Sequence, residues 1–164
     1  MTENQPKSAR TVESLTYVVE QLEEEVIFGR LRPRERLVEE DLVARFDVKR
    51  HIIRQALIEL ERMGIVVRQR GKGARVCDYS PEEVQDLYML RELLESRAAG
   101  LIPLPASKSL LKDLSAIHRA YAKSVKDGNL RGIFRGNVHF HQTLFAACGN
   151  SYLAEAINLY ATTA

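Results

Sequence analysis

The chain has 164 residues, 45% hydrophobic and 28% charged, a balance that fits a folded soluble protein and excludes a disordered or fibrous one. No apolar run approaches the ~18 residues that span a bilayer, and "MTENQPKSAR" has no apolar core after its charges, so residues 1–10 are read as a short disordered tail rather than a secretory signal. Cys77 and Cys148 lie far apart with no CxxC spacing, which argues against a thiolate zinc site or a disulfide framework and fits a reducing cytoplasm.

"TVESLTYVVEQLEEEVIFGRL" places Leu15, Val18, Val19, Leu22, Val26 and Ile27 on one face of a helix. Thr11 or Ser14 can cap its start and Gly29 its end. "RPRERL" reads as a turn, with Pro33 blocking the helix. "VEEDLVARFDV" is a short second helix whose acidic first turn suits the helix dipole. After a break at Asp47, "KRHIIRQALIELERMG" is a third helix, with Ile53, Ala56, Leu57, Leu60 and Met63 as its buried stripe. "IVVRQ" and "ARVCDY" are β-type runs joined by the hairpin tip "RGKG".

The pattern turns purely helical after Tyr79. Ser80 as N-cap, Pro81 at the first helical position and two glutamates mark a strong helix start. Val84, Leu87, Leu90, Leu94 and Ala98 form the apolar face of that helix. Three more helical stretches follow, separated by the "LIPLPAS" break, by Asp127-Gly128-Asn129 and by Gly149-Asn150. The expected fold is mainly α: a winged helix-turn-helix (three helices plus a β-hairpin wing) over residues 11–78, then an all-α helical bundle over residues 79–164.

The net charge of +2 is unevenly spread. Between Arg30 and Arg75, thirteen Lys and Arg face seven Asp and Glu, a local excess that fits a polyanion partner or an ordinary solvated surface. Geometry favours the partner. A helix fits the major groove of B-DNA and reads base edges from its first turns. Arg50 and Arg54, four apart, share one helix face, and a guanidinium fork suits guanine or paired phosphate oxygens. Lys49 and His51 flank them, and Arg70, Gly71 and Lys72 form a basic, tightly turning wing tip. Basic side chains at a helix N-terminus oppose its dipole, so an anionic partner explains them better than stability does.

The run "LVEEDLVARFDVKRHIIRQALIELERMGIVVRQRGKGARV" resembles the winged-helix domain of GntR-family bacterial transcriptional regulators. Leu37, Glu39, Leu42, Val48, Arg50, Arg54, Ala56, Leu57, Leu60, Gly64, Val66, Gly71 and Gly73 fall in order on the family's usual run. Lys49 replaces the usual Ser or Thr, Ile52 the common Pro, Gln55 the common Glu, and Arg34 a glycine at a turn that favours positive φ. "LYMLRELLESRAAGL" and "NVHFHQTLFAACGNSYLAEAI" resemble the all-helical FCD effector domain, of which the chain covers about the first half and so looks truncated. The resemblance implies a transcriptional regulator that binds double-stranded operator DNA under the control of a small carboxylated metabolite; it is read as a repressor and not an enzyme, and as a homodimer because two half-sites one helical turn apart, ~34 Å, must be spanned.

By the same resemblance, an Asp and a His of the second motif bind a divalent cation (zinc, nickel or manganese) with two later histidines. The matching residues here are Asn137 and His141, i and i+4 on one helix face. His139 stands about 200° from Asn137 and points away. A neutral amide is a weaker ligand than a carboxylate, and His118 matches no ligand position. Three readings stay open for Asn137 and His141: a metal site, a direct site for an organic acid with Arg91 pairing its carboxylate, or a buried amide and imidazole held by hydrogen bonds. The competing functional classes are an enzyme using the histidines, for which no second catalytic group is apparent, and a non-specific DNA-binding protein without effector.

Overall fold

The computed structural model describes the backbone of residues 7–69 and 73–161. The chain divides into two compact units, residues 1–78 and 79–164.

The first unit holds α1 (Lys7–Ile27), β1 (Arg36–Leu37), α2 (Glu39–Phe46), α3 (Arg50–Arg62), β2 (Val66–Gln69) and β3 (Gly73–Val76). Helix α1 begins at Lys7, inside the stretch expected to be a tail, so Thr11 and Ser14 lie within it and do not cap it. Val18 and Leu22 are its buried stripe, with Leu15, Val19 and Val26 packed beside them, while Ile27 at the helix end is exposed. The acidic run that follows Leu22 is buried too: Glu23, Glu24 and Glu25 all lie inside. Buried carboxylates are costly unless bonded. Glu25 meets that condition by gripping Arg45 of α2, whose Nη1 donates to Oε2 at 2.9 Å while Nη2 engages Oε1.

The "RPRERL" turn contains a strand that the sequence reading lacked. The Arg34 N–H donates to the Val76 carbonyl at 3.0 Å, and the Val76 N–H donates to the Glu35 carbonyl at 2.9 Å. Arg34 adopts φ +67°, the left-handed conformation expected of the turn glycine it replaces. The strand order is β1-β3-β2, antiparallel throughout, with Leu37 opposite Ala74 and Val66 opposite Val76. Leu37, Leu42, Ile65, Val66, Ala74 and Val76 close over Ile52, Ile53, Ala56, Leu57 and Leu60 of α3. Met63, expected in that stripe, is the C-cap and only partly buried. Ile52 fills the common proline position as a core residue, its N–H bonded to the Lys49 carbonyl at 2.9 Å.

The second unit holds α4 (Pro81–Leu101), α5 (Lys108–Lys126), α6 (Leu130–Ala146) and α7 (Ser151–Tyr160). Each start is capped as its sequence directs. Ser80 and Glu83 form a reciprocal capping box on α4, and Ser107, Asn129 and Asn150 accept backbone N–H groups on α5, α6 and α7. The buried cluster is small: Ala98, Phe145, Cys148 and Ile157. Of the five residues expected on the buried face of α4, only Ala98 is buried, and Leu90 is 37% exposed. The reason is local: α6 and α7 cover α4 around Leu94, Ala98 and Leu101, not along its first turns. Helix α5 lies along α6, which presents Gly132 and Gly136 to it; a Cβ at Gly132 would stand 2.3 Å from Ser124 Oγ.

Candidate nucleic-acid interface and effector cavities

Lys49, Arg50, His51 and Arg54 are all exposed at the start of α3, while Ile52 and Ile53 between them are buried. That division follows from helical period: the apolar side anchors the helix and leaves the basic side for solvent or a partner. The first turn of α3 holds no acidic residue of its own. Its charge is met from α2 instead. Arg50 Nη2 lies 3.0 Å from Glu40 Oε1, and Arg54 Nε donates to Glu39 Oε2 at 2.9 Å. These carboxylates, expected in the first turn of α2 where the helix dipole favours them, also hold the two arginines. The Arg50–Glu40 pair, exposed on both sides, is worth about 0–1 kcal/mol, so a phosphate or base can displace it.

The wing is tied to the same helix. The Arg68 N–H donates to Glu61 Oε1 at 3.1 Å, and Arg68 Nη1 lies 3.6 Å from Glu61 Oε2. A cleft of about 470 Å³ between α3 and the wing strands is lined by Glu39, Leu57, Glu61, Arg68 and Ala74. The predicted tip residues Arg70, Gly71 and Lys72 lie outside the described residues.

In the second unit, Arg91, Asn137 and His141 do come together, lining a cleft with Glu95 and Phe145. It encloses only about 60 Å³, room for a carboxylate group rather than a whole metabolite. Arg91 is already engaged there: its Nε donates to Glu95 Oε1 at 3.1 Å, and its guanidinium lies over the Tyr88 ring at 5.4 Å. The buried-pair reading of Asn137 and His141 is corrected, since both are exposed. A larger cavity of about 260 Å³ opens between α5 and α6, lined by Ile117, His118, Tyr121, Asn137, Phe140 and His141. His118 matches no ligand position of the family, but packing of α5 on α6 brings it to this cavity. His139 is exposed and lines neither cavity.

Among the described residues, no group of three or more His, Cys, Asp and Glu is arranged to hold a metal ion. Asn137 and His141 offer two donors, one a neutral amide, where a zinc ion takes four ligands. The residues present do not by themselves fit a divalent metal.

Three helices, a hairpin with a third short strand and an exposed basic helix start define a winged helix-turn-helix, followed by a helical domain with two small cavities. The comparisons give the family. The model described as "Bacterial regulatory proteins, gntR family" matches residues 16–76, and the FCD domain model matches residues 86–164. The chain belongs to the GntR family, in its FCD branch. It is 30% identical to the HTH-type transcriptional repressor GlaR of Escherichia coli K12 over 146 residues, 82% of this chain and 63% of that one. It is 29% identical to the Uxu operon transcriptional regulator of the same organism, over 75% of this chain and 54% of that one. The fold matches that of E. coli McbR/YncC at a TM-score of 0.73 and 19% identity, over 90% of this chain and 68% of that one. The chain spans between 54% and 63% of the length of the curated relatives that it matches. Among the described residues, no helix is long and apolar enough to cross a membrane.

Proposed function

We propose that the protein is a transcriptional regulator, a repressor, whose first unit binds operator DNA and whose second unit senses a small carboxylated metabolite. The observation that carries this is the exposed pair Arg50 and Arg54 on one face of α3, backed by a buried apolar stripe. With α3 in the major groove, these arginines read base edges while Lys49 and His51 meet bases or phosphates. The wing tip, Arg70 to Lys72, adds backbone contacts. Relatives named as regulators and repressors support this reading over an enzyme.

The regulator acts as a homodimer, spanning two half-sites about 34 Å apart. Tyr88, Met89 and Leu93 leave an apolar face of α4 exposed, which supports a second copy against it. The effector is held by Asn137 and His141, which border both cavities, with Arg91 taking its carboxylate. Its binding changes operator affinity to the extent that the two DNA-binding states bind it unequally.

The test is selection from a randomised duplex pool by the 164-residue chain, followed by affinity measurement at two salt concentrations. Enrichment of a palindromic sequence bound far more tightly than random duplex is expected. Equal binding to both would leave a non-specific DNA-binding protein.

A further inference from the structure

Both arginines proposed to read bases are held by carboxylates from the preceding helix, and the two carboxylates differ. Glu39 is 29% exposed and Glu40 61% exposed at the side chain. Glu39 also lines the cleft behind α3, beside Leu57. It is therefore the more sheltered of the two, whereas Glu40 stands in solvent. The contact from Glu39 takes the Nε edge of Arg54. That contact leaves the terminal Nη1–Nη2 edge for a bidentate contact to guanine O6 and N7. Glu40 instead engages Nη2 of Arg50, the end of the fork that a phosphate would use.

We infer that Glu39 and Glu40 set the DNA specificity of this protein: Glu39 aims Arg54 at a base edge, and Glu40 screens Arg50 from indiscriminate phosphate binding. The inference rests on the proposed DNA-binding function. The physical case is a difference between two kinds of contact. A phosphate attracts an arginine at every position along DNA, so the unscreened charge of Arg50 favours all sequences equally. A carboxylate beside it subtracts from that common term. An arginine fixed in direction gains most where a guanine edge meets it and least elsewhere, which widens the gap between right and wrong sequences. Both carboxylates lie in the first turn of α2, where the helix dipole also favours them, so their dual use costs the fold nothing.

The test uses the duplex enriched by the wild-type chain and a random duplex of equal length. Glu39→Ala is expected to shrink the preference for the enriched duplex roughly tenfold, about the effect of one mismatched base pair. Glu39→Gln, which keeps a hydrogen-bond acceptor of the same length, is expected to retain most of that preference. A pure charge effect would make the two variants alike. Glu40→Gln is expected to raise affinity for random duplex severalfold and to steepen its salt dependence by up to about one ion. Should Glu39→Ala unfold α2, Glu39→Ser makes the same test, because serine suits a helix start and is too short to reach Arg54. Unchanged preference in the Glu39 variants, with random-duplex affinity unchanged in Glu40→Gln, overturns the inference. If that happens while Arg50→Ala and Arg54→Ala still lose the enriched sequence, DNA reading stands and only the role of the glutamates falls. If the wild-type chain enriches no sequence, both readings fall together.

Discussion

His118 on α5 and His141 on α6 line one cavity of about 260 Å³, with Asn137 and Tyr121 in the same wall. Its size is close to the ~300 Å³ lower bound for small-molecule pockets, and its lining mixes rings with a few polar groups. The cleft at Arg91 is several times smaller. An effector seated between α5 and α6 predicts that His118→Ala and His141→Ala each weaken binding roughly tenfold or more, the loss of one hydrogen bond to a charged group. Calorimetric titration with a panel of small carboxylic acids measures this, and ligand-free DNA affinity should not change. A loss on Arg91→Ala with His118→Ala silent would place the effector wholly in the smaller cleft.

Gly132 and Gly136 let α5 approach α6. A Cβ at Gly132 meets Ser124 Oγ at 2.3 Å and Ser124 Cβ at 2.9 Å, so a methyl there must push the helices apart. At Gly136 the nearest atom is on Tyr121 at 3.3 Å, which asks for a shift of a few tenths of an ångström. Overpacking costs about 1–3 kcal/mol, against about 0.5–1 kcal/mol gained from a better helix former. Gly132→Ala should therefore destabilise the second unit, while Gly136→Ala should be near neutral in stability but narrow the cavity by moving Tyr121. Thermal unfolding and effector titration of both variants separate the two effects.

Arg50→Ala and Arg54→Ala should each cost about 1–3 kcal/mol of affinity for the enriched duplex if they read bases. Neither side chain is part of the buried cluster, so the melting temperature should barely move. Lys72→Ala, at the wing tip, should weaken binding to all sequences alike and lower the salt slope by about one. Anisotropy titrations against enriched and random duplex at two salt concentrations give all three. Unchanged affinity in both arginine variants would remove α3 from the groove.

What the sequence reveals and conceals has physical causes in particular residues. The basic face of α3 is legible because one short segment carries both its apolar period and its charges. The Ser80-Pro81-Glu82-Glu83 start of α4 is legible because every partner in the cap lies within one turn. Strand β1 is hidden because two residues carry no alternation to detect, and its existence depends on β3, nearly forty positions later. Burial of Glu23, Glu24 and Glu25 is hidden because an acidic run inside a helix reads as a solvated face; only the arrival of Arg45 from α2 makes sense of Glu25. The placing of His118 beside His141 is set by the register of α5 on α6, which the glycines permit but no local motif announces.

The α4 cap ties one carboxylate to pH. The Glu82 carboxyl is held below its ordinary range by its own backbone N–H first and by Ser80 second. A carboxylate with a depressed folded-state pKa adds stability above its unfolded value, and that contribution is lost as pH falls through the folded one. Ser80→Ala removes the cap acceptor and should cost about 1 kcal/mol at neutral pH. The difference from wild type should shrink on acidification through the carboxylate range, as read by thermal melts of both proteins. A difference that stays constant would show that Ser80 does not hold the Glu82 carboxylate.

The bond between Arg45 and Glu25 fastens α2 to α1. Glu25 is 11% exposed and Arg45 47% exposed at the side chain, so the carboxylate is the member at risk when the partner goes. The Arg45 pKa is raised, first by its hydrogen bond to Glu25 and then by that carboxylate's charge, against the opposing pull of burial. A cation whose folded-state pKa is raised contributes fully below its unfolded value and loses that contribution only as pH climbs through the folded one. For an arginine that window is strongly alkaline, so the pair's support is flat through neutral pH. Arg45→Met keeps an unbranched side chain but removes the guanidinium, so it loses the cation–π contact with Phe46 and leaves Glu25 buried without its partner. We expect a loss of about 1–3 kcal/mol, the worth of hydrogen bonds to a charged group. In a domain of this size, each kcal/mol lowers the melting temperature by about 4–8 °C. Glu25→Gln should cost less, because an amide of the same length still accepts from Arg45. Melting of the first unit followed by circular dichroism tests the order, and equal midpoints for Arg45→Met and wild type would show that the pair does not hold α2 to α1.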